Sequence, residues 1–444
     1  MAVERSREVA RVIHAAKRAA GVDLEALEGA VRDAAHAGGA RTLEAFLEGV
    51  GVGRRDEPVR CTCGAQMLSR GVRAKEVRTL LGPITFKRSI YVCPRCRKSR
   101  CPGDEELDVV GTSYSPGVRR LTADFGGDAP FKRVSHQLQV AAGLRISRKD
   151  CERMAEAVGE QIKTWTEQEG LNLRLAEPPA PDETPKTIDT LYIEADGTGL
   201  PMVPSELEGR KGKQADGSAK TREAKLGCVF TQSGVDDQGR PVRDPATTTF
   251  TGAIENAAAF GNRLCAEALR RGLYHARRVV FLGDGAEWVK NLALTYFGLV
   301  LFILDLYHAR EHLIALCRHL FGADQKRLDL YKDRWWDYLD QGRIEEITAQ
   351  AAALLPKDQR EKPDARREIN YLDKNKEHMR YATFRAQGLF VGSGVVEAGC
   401  KHVIGQRLKQ SGMEWTVRGA NAIIALRCLA QSGRFEEYWE SRAA

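Results

Sequence analysis

The feature that most constrains this sequence is a group of three acidic residues, each of which lies among glycines beside an apolar run. The segment LYIEADGTGL predicts a strand that ends at Asp196, and VVFLGDGAEWVK predicts another that ends at Asp284. The segment VGSGVVEAGCKHVIGQRLKQ predicts a glycine-marked helix start that carries Glu397. If the two strands are neighbours in one sheet, their ends bring two acids side by side, and a helix packed on that sheet brings the third.

Three carboxylates in one place repel one another unless cations join them. Mg²⁺ (or Mn²⁺) takes oxygen ligands, and two such ions about 3.5–4 Å apart activate an attacking oxygen and stabilise a leaving one. The pattern therefore favours phosphodiester chemistry on DNA. Asp-Gly is also an ordinary turn dipeptide, so the residues alone leave a purely structural interpretation open.

The order of apolar runs around the acids predicts a mixed α/β domain. A proline-rich linker, EPPAPDETPK, precedes that domain. After the strand of Asp196 the pattern predicts strands at 226–232 and 247–254, a helix at 255–272, the strand of Asp284, a helix at 286–297 and a strand at 299–305. Helices follow until about residue 386, and the helix of Glu397 comes next.

Four cysteines in the N-terminal part predict a metal site. Cys61 and Cys63 lie on one turn, two strands follow, and Cys93 and Cys96 lie on a second turn. Paired thiolates on two turns give the tetrahedral cage that Zn²⁺ prefers, and such a zinc ribbon would be structural. The first pair is one residue short of the usual spacing, so Cys101 is an alternative ligand. Free thiols in a small sheet are the alternative to a metal site.

Three helices are predicted between the cysteines and the linker. Gly143 ends the second of them, and Ser147 is a good N-cap for the third. Short helices joined by a glycine turn resemble a helix-turn-helix, whose last helix enters the major groove of DNA. Arg148, Lys149 and Arg153 on that helix are then candidates for DNA contacts. An ordinary helical bundle with a charged, solvated face is the alternative.

The composition limits the class of protein. The 444 residues are enough for two or three domains, and 43% hydrophobic with 29% charged residues is typical of a globular chain. The net charge of +8 favours an anionic partner only weakly, because 60 acidic residues offset 68 basic ones. No apolar run approaches the roughly 18 residues of a membrane span, and the N-terminus has no apolar core of the signal-peptide kind. We therefore expect a cytoplasmic protein without a membrane partner.

Four segments resemble, in this order, the ISKra family of bacterial insertion-sequence transposases, which are relatives of the Mutator-like DDE enzymes. The segments are EADGTGLP, FLGDGAEWVKNLA, ILDLYHAREHL and GSGVVEAGCKHVIGQRLKQSGMEW. The resemblance runs from the cysteine region to about Leu429. It implies an α/β fold with a ribonuclease H-like catalytic core and an all-helical insertion before the last acid. It also implies that Asp196, Asp284 and Glu397 are the DDE triad that holds Mg²⁺ or Mn²⁺.

The function that the resemblance implies is DNA transposition. Cleavage at the element ends would free a 3′-hydroxyl, which would then attack target DNA. The implied partners are these DNA segments and further copies of the chain, because two ends need pairing by a homodimer or a larger assembly. The absence of a GxxxxGK[ST] motif agrees with a reaction that needs no ATP. Two alternatives stay open, a transposase-derived DNA-binding protein without activity and a structure-specific nuclease on the same core.

Further candidates flank the acids. Mutator-like enzymes carry Cys-x-x-His at a point where this chain has Asp305 and His308, so the match is partial. We expect this pair to hydrogen-bond near the site or to help position DNA, with a structural Asp-His pair as the alternative. Lys401, Arg407 and Lys409 follow the third acid and are candidates for phosphate contacts, with a solvated basic face as the alternative.

These inferences together predict six parts of the chain. They are an N-terminal helical region (1–55), a zinc-ribbon-like module (56–110), a helix-turn-helix-like domain (111–176), a linker (177–187), the catalytic core (188–309 and 387–444) and the helical insertion (310–386).

Overall fold

The computed structural model describes residues 24–51, 53–179, 185–212, 214, 217–298, 300–358 and 361–442. The helix predicted over the first 50 residues is therefore described only from Leu24 onward, and its earlier part lies outside the described residues. The chain divides into two compact units, one ending at Val158 and the other beginning at Gly159. This division falls inside a helix, upstream of the linker predicted at 177–187.

The first unit contains a small antiparallel sheet and several helices. Its elements are α1 (Leu24–Val50), β1 (Leu68–Thr79), β2 (Gly82–Val92), β3 (Ser99–Arg100), α2 (Pro102–Glu106), α3 (Pro116–Asp128), α4 (Phe131–Ala142) and the start of α5 (Arg148–Leu175). The strands pair in the order β1-β2-β3. Val77, Ile84 and Phe86 of the sheet form a core with Ala40 of α1. This core explains why the apolar residues of β1 and β2 alternate with polar ones.

The junction between α4 and α5 is built as the sequence predicts. Gly143 ends α4 in the left-handed region, with φ of 66°. The Ser147 hydroxyl accepts a hydrogen bond of 3.1 Å from the backbone N–H of Asp150 and donates one of 2.8 Å to its carboxylate. A serine N-cap that satisfies an otherwise orphaned amide fixes where α5 begins.

The second unit contains a mixed sheet. Its strands are β4 (Ile188–Pro201), β5 (Thr221–Val235), β6 (Pro241–Arg243), β7 (Thr249–Ala253), β8 (Ala276–Gly283) and β9 (Leu301–Leu304). Strand β4 is central: it pairs antiparallel with β5 on one side and parallel with β8 on the other. Strand β9 runs parallel to β8, and both β6 and β7 pair antiparallel with β5.

Helices connect and follow these strands. They are α6 (Ala257–Arg270), α7 (Glu287–Phe297), α8 (Leu306–Phe321), α9 (Gln325–Asp340), α10 (Ile344–Ala353), α11 (Pro363–Asn375), α12 (Tyr381–Ala386), α13 (Gly394–Gly399), α14 (Val417–Gln431) and α15 (Phe435–Ser441). Helix α13 continues through a π-helical turn, Cys400–Gly405, into Gln406–Leu408. In the described part of residues 306–386, the α-helices α8 to α12 separate β9 from α13, where the sequence predicts a helical stretch. Within the described residues, no helix is both long and apolar enough to cross a membrane.

The prediction that a strand ends at Asp196 is wrong. Strand β4 runs on to Pro201 and stays paired with β5 up to Thr221, although its ladder with β8 stops at Ala195. Gly197 and Gly199 permit this continuation, because a Cβ at either position would lie under 3.0 Å from a side-chain oxygen of β5. The Asp-Gly pair is therefore part of a close strand pairing and not a turn.

Phe281 anchors β8 in the core three residues before Asp284. Its side chain is fully buried, and its ring centroid lies 5.8 Å from that of Phe297 and 5.9 Å from that of Phe302. Aromatic pairs at this spacing pack favourably and bury a large apolar area. The ring therefore connects the core to the end of β8.

We expect Phe281→Ala to lower the free energy of unfolding by about 3–5 kcal/mol, because it removes a buried aromatic ring and leaves a cavity. Urea titration followed by circular dichroism measures the loss. Leu330→Ala is the matched control, since Leu330 is 56% exposed, and it should change the free energy by less than about 0.5 kcal/mol. Equal effects of both substitutions would contradict the packing described for Phe281.

Candidate active site

The first two acids follow residues that face each other on neighbouring parallel strands. Ala195 of β4 is in register with Gly283 of β8, the last pair of that ladder. Asp196 and Asp284 come next, so their backbones leave the ladder from strands roughly 4.8 Å apart. The amide of Asp305, which follows β9, donates a hydrogen bond of 2.8 Å to the carbonyl oxygen of Gly283. The end of the β4–β8 ladder and the end of β9 therefore bring acidic residues to one edge of the sheet.

The pKa of Asp196 reports its surroundings. Burial raises this pKa most, and the negative charges of Asp284 and Glu397 raise it further. Hydrogen bonds from the Gly197 amide and the Cys400 thiol oppose the increase. The hydrogen bond from the Gly197 amide nitrogen to Oδ1 of Asp196 measures 2.6 Å. Asp196 is thus close enough to both other acids for their charges to repel its own.

Two contacts fix the helix that carries Glu397 against β4. The backbone N–H of Val396 donates a hydrogen bond of 2.7 Å to Oε2 of Glu194, a residue of β4. One turn later, the Cys400 thiol is close enough to the Asp196 carboxylate to lower the pKa of that acid. Since Glu397 lies between these two positions on the helix, its backbone is held beside Asp196.

The side chain of Glu397 is turned toward solvent. It forms an ion pair of 2.7 Å with Lys401, and 58% of it is exposed. No set of ligand oxygens from Asp196, Asp284 and Glu397 lies within 4.8 Å of one another among the described residues. The structure therefore brings the backbones of the three acids together, whereas the third carboxylate would have to rotate away from Lys401 to join the other two.

The donor set suits a hard divalent cation. Asp196, Asp284 and Glu397 offer only oxygen atoms, which Mg²⁺ and Mn²⁺ accept, and the charge repulsion at Asp196 is of the kind that a cation relieves. The residues therefore fit the ion that the sequence analysis expects.

Glu194 is a fourth acid that the sequence analysis missed. Its side chain is fully buried, and burial raises its pKa to about 8. It lies two positions before Asp196, so both side chains lie on the same face of β4. The signal was present in the letters IEAD, because an acid inside an apolar strand is rarely buried without a partner.

Asp305 and His308 do not pair through their side chains. Oδ1 of Asp305 accepts a hydrogen bond of 2.7 Å from the backbone N–H of His308 and thereby caps α8. Its Oδ2 accepts two more from Ser393, of 2.6 Å from the amide and 3.0 Å from the hydroxyl. Asp305 therefore ties the end of β9 to the segment before α13. Asp305 and His308 are thus hydrogen-bonded to each other, but through the His308 backbone and not through its ring.

Helix α11 contacts the second acid, and α8 packs against α11. The imidazole of His308 lies 3.2 Å from that of His312, whose Nδ1 lies 2.6 Å from Glu368. His312 stacks on the ring of Tyr371 with centroids 3.7 Å apart. The Tyr371 hydroxyl donates a hydrogen bond of 3.3 Å to the carbonyl oxygen of Asp284. The helical stretch therefore supports the backbone of this acid.

The three basic residues after Glu397 have different environments. Lys401 is exposed and paired with Glu397, and Lys409 bonds to the hydroxyl of Thr198 on β4. Arg407 is fully buried, and its guanidinium lies 5.2 Å from the centre of the Trp415 ring. The structure thus places Lys401 and Lys409 at the surface beside the acids, whereas it places Arg407 in the core, away from any phosphate.

The basic residues of α5 are exposed. Arg148 lies at its first position, Lys149 pairs with Glu152 at 2.6 Å, and Arg153 pairs with Asp150 at 3.5 Å. Exposed pairs of this kind contribute little to stability and exchange partners readily. These side chains are therefore accessible to an anionic ligand.

Four cysteines in the first unit form a compact cluster. The Sγ atoms of Cys61, Cys63, Cys93 and Cys96 all lie within 4.8 Å of one another, with separations of 3.4 Å between Cys61 and Cys96 and 3.5 Å between Cys63 and Cys93. A tetrahedral Zn²⁺ with Zn–S bonds of about 2.3 Å sets sulfur atoms about 3.8 Å apart, so the cluster could bind such a metal. Cys101 is not a member, since its sulfur accepts a hydrogen bond of 3.1 Å from Arg88.

Comparison with known proteins relates the chain to one family. Residues 271–442 match the model of the Uncharacterised protein family (UPF0236). A protein of Streptococcus gallolyticus, described as "UPF0236 protein in vanSb 3'region", is 25% identical over 385 residues, which are 83% of this chain and 75% of that protein. The family match includes Asp284 and Glu397 but begins after Asp196.

We expect the purified chain to contain about one equivalent of zinc, which Cys93→Ser releases because three thiolates hold Zn²⁺ more weakly than four. Inductively coupled plasma mass spectrometry on protein freed of loosely bound metal measures the content. Cys101→Ser is the matched control and should keep the zinc. Retention of zinc by Cys93→Ser, or its loss from Cys101→Ser, would overturn the assignment of the four ligands.

Proposed function

We propose that this chain is a DNA transposase of a bacterial insertion sequence, with Asp196, Asp284 and Glu397 as its catalytic acids. The observation that carries the proposal is the arrangement of these acids at one sheet edge. Two of them follow the last residue pair of the β4–β8 ladder, and the helix of the third is bonded to β4. The separations along the chain, 88 and 113 residues, make this proximity a product of the fold.

The proposed cofactor is Mg²⁺ or Mn²⁺. The three acids would hold it, with Asp196 and Asp284 sharing the ions and Glu397 completing one site after it leaves Lys401. When bound, such ions activate an attacking oxygen and stabilise a leaving one. The raised pKa of Asp196, caused by burial and by the charges of the other two acids, supports the proposal, because a cation would relieve that repulsion.

The proposed reaction has two phosphodiester steps. In the first, the oxygen of water attacks phosphorus at the element end, the bond from phosphorus to the 3′-oxygen breaks, and that oxygen takes a proton to become a free hydroxyl. In the second, this 3′-hydroxyl attacks a phosphorus of the target DNA and displaces another 3′-oxygen. Neither step needs a protein nucleophile, so acids and exposed cations suffice as protein groups.

The proposed fold class is a ribonuclease H-like core with a helical insertion. Its support is the element order: three strands in antiparallel pairing (β4, β5 and β7), then α6, β8, α7 and β9 with parallel pairing, then α8 to α12, and then the helix of Glu397. This is the order that the resemblance to DDE enzymes implies. The contact of Tyr371 with Asp284 is further support, because through it α11 of the helical stretch packs against the end of β8.

The proposed partner is DNA, bound by both units. Lys401 and Lys409 lie beside the acids, where they would meet phosphates, and Arg148, Lys149 and Arg153 of α5 would contact DNA from the helix-turn-helix-like part. Arg407 has no part in this proposal because it is buried. A homodimer or larger assembly is proposed because two element ends must be joined. The four-cysteine zinc site would be structural.

The first test of the proposal is cleavage of a labelled duplex that carries the element's own end. We expect the wild type to cut it with Mg²⁺ or Mn²⁺, and Asp196→Asn, Asp284→Asn and Glu397→Gln to cut it about 100-fold more slowly or not at all. Removing even an outer partner of a metal site costs about 10–100-fold, so losing a direct ligand costs at least as much. All three variants should still bind the duplex in a gel-shift assay.

Asp189→Asn is the matched control for these variants. Asp189 lies on the same strand as Asp196, but 83% of its side chain is exposed, so its substitution should leave cleavage unchanged. Full activity of Asp284→Asn would refute the triad. Binding without cleavage by the wild type would favour the inactive DNA-binding protein. Cleavage without joining of a pre-cut end to a plasmid would favour the nuclease.

A second test addresses α5. We expect Arg148→Ala combined with Arg153→Ala to weaken DNA binding and to reduce the slope of log K against log salt by about 0.9 for each phosphate that the protein no longer neutralises. Fluorescence anisotropy of a labelled duplex at several salt concentrations gives the slope. Arg367→Ala combined with Lys374→Ala, two basic residues of α11, is the charge-matched control. Equal slopes for the two double variants would exclude α5 from the DNA interface.

A further inference from the structure

Glu194 is an acidic residue in a fully buried position, which costs folding free energy. The side chain lies in the centre of β4 with no exposed surface, between Cys228 of β5 and Leu282 of β8. Its Oε2 accepts the amide hydrogen of Val396 at 2.7 Å, and the Cys228 sulfur lies 3.6 Å away. Its Oε1 has no hydrogen-bond partner within the described part of the chain. A buried acid with one unsatisfied oxygen destabilises the fold, because that oxygen loses its hydration. The hydrogen bond at the other oxygen has to offset this cost.

The hydrogen bond from Val396 to Glu194 caps α13, the helix of Glu397, with a side chain from β4. The first amides of a helix have no partner within the helix, and the N-cap side chain normally accepts from one of them. Here the N-cap is Ser393, but its side chain makes no capping bond, because its hydroxyl and amide both donate to Asp305. The amide of Val396, at the third helical position, is left for Glu194. Two acids, Glu194 within β4 and Asp305 after β9, thus hold the start of α13.

The two attachments lie on either side of the third catalytic acid. Glu397 directly follows Val396, whose amide is bonded to Glu194, and Cys400 lies beside Asp196 one turn later. Because Glu194 and Asp196 share one face of β4, the same strand face that carries the first acid also holds the backbone of the third. A displacement of the helix start by about 1 Å would change the separation of the carboxylates and weaken any ion between them.

We propose that Glu194 is a positioning residue that sets the distance between Asp196 and Glu397 by accepting the Val396 amide. This inference rests on the proposed function, since it assigns Glu194 a part in arranging the proposed catalytic acids. It also identifies which property is needed at position 194: an acceptor oxygen that reaches the amide. A glutamine keeps that oxygen, whereas a methionine has nearly the same volume and lacks it.

The experiment compares Glu194→Gln with Glu194→Met in the full chain. Hydrogen exchange of the peptide covering 391–400 reports the Val396 bond, and isothermal titration with Mn²⁺ reports the acids. We expect Glu194→Met to speed exchange at the start of α13 and to weaken Mn²⁺ binding, each by about tenfold, which corresponds to one buried hydrogen bond. Glu194→Gln should stay within about threefold of the wild type in both. Where the wild type cleaves DNA, the rate should follow the same order.

Glu206→Met is the matched control. Glu206 also accepts a helix amide, that of Val417 at 3.0 Å, but that helix carries none of the three acids. This substitution should speed exchange at the start of α14 and leave Mn²⁺ binding unchanged. A general loss of stability would lower the melting temperature of both methionine variants, and it would not separate their Mn²⁺ affinities.

Two results would overturn the proposal. One is wild-type exchange at 391–400 in Glu194→Met, which would mean that the Val396 bond does not hold the helix start. The other is unchanged Mn²⁺ affinity in that variant despite faster exchange, which would make the bond structural only. Failure of the proposed function is a different result: the wild type itself would neither bind Mn²⁺ nor cleave DNA, while the exchange data would still decide whether Glu194 holds α13.

Discussion

The candidate site depends on one constraint, the pairing of β4 with a strand on each side. Its backbone is bonded to β5 from Leu191 to Pro201 and to β8 as far as Ala195. A strand paired on both sides cannot shift in register without breaking both ladders and reversing which side chains face the core. Asp196 is therefore fixed beside the end of β8. A site built on such a strand is held more rigidly than one built on loops.

Acidic side chains also hold the starts of helices α8 and α13. These contacts explain how buried acids are tolerated here. Carboxylates are favourable at helix N-termini, where free amides and the helix dipole present positive charge. Asp305 caps α8 and holds Ser393, and Glu194 accepts from α13. Much of the acidity at this sheet edge is thus structural. Asp196, Asp284 and Glu397 are the acids to which the proposed function assigns a ligand.

Much of the fold was predictable, because most strands of the second unit contain apolar runs, and β8 and β9 end directly before Asp284 and Asp305. The prediction failed at β4, since Asp-Gly favours a turn locally whereas pairing with β5 extends the strand to Pro201. It also failed at Arg407. The π-helical turn Cys400–Gly405 changes the helical phase between Glu397 and Arg407, so ideal helix spacing does not give the direction of the Arg407 side chain. Neither long-range pairing nor a change of helical phase can be read from local spacing.

The contact of Tyr371 with Asp284 was unpredictable for a related reason. The two residues are 87 positions apart, and only the packing of α11 against the end of β8 joins them. The cysteine cluster shows the opposite case. Cys61 with Cys63 and Cys93 with Cys96 lie on tight turns joined by a hairpin, so local geometry alone brings the four sulfurs together. A site was predictable where the contacts that form it are close in the sequence, and unpredictable where they join distant segments.

The ion pair between Glu397 and Lys401 is compatible with a catalytic role for Glu397. Both side chains are more than half exposed, and pairs at i and i+4 on a helix surface contribute only about 0.3–0.5 kcal/mol. The hydrogen bond from Val396 to Glu194 is buried and the one from Ser393 to Asp305 is partly buried, and each contributes more than a solvated ion pair. The backbone of Glu397 is therefore fixed while its side chain is free to turn. As the metal ligand proposed above, Glu397 would need that combination, because its carboxylate must turn from Lys401 to the cation while the helix stays in place.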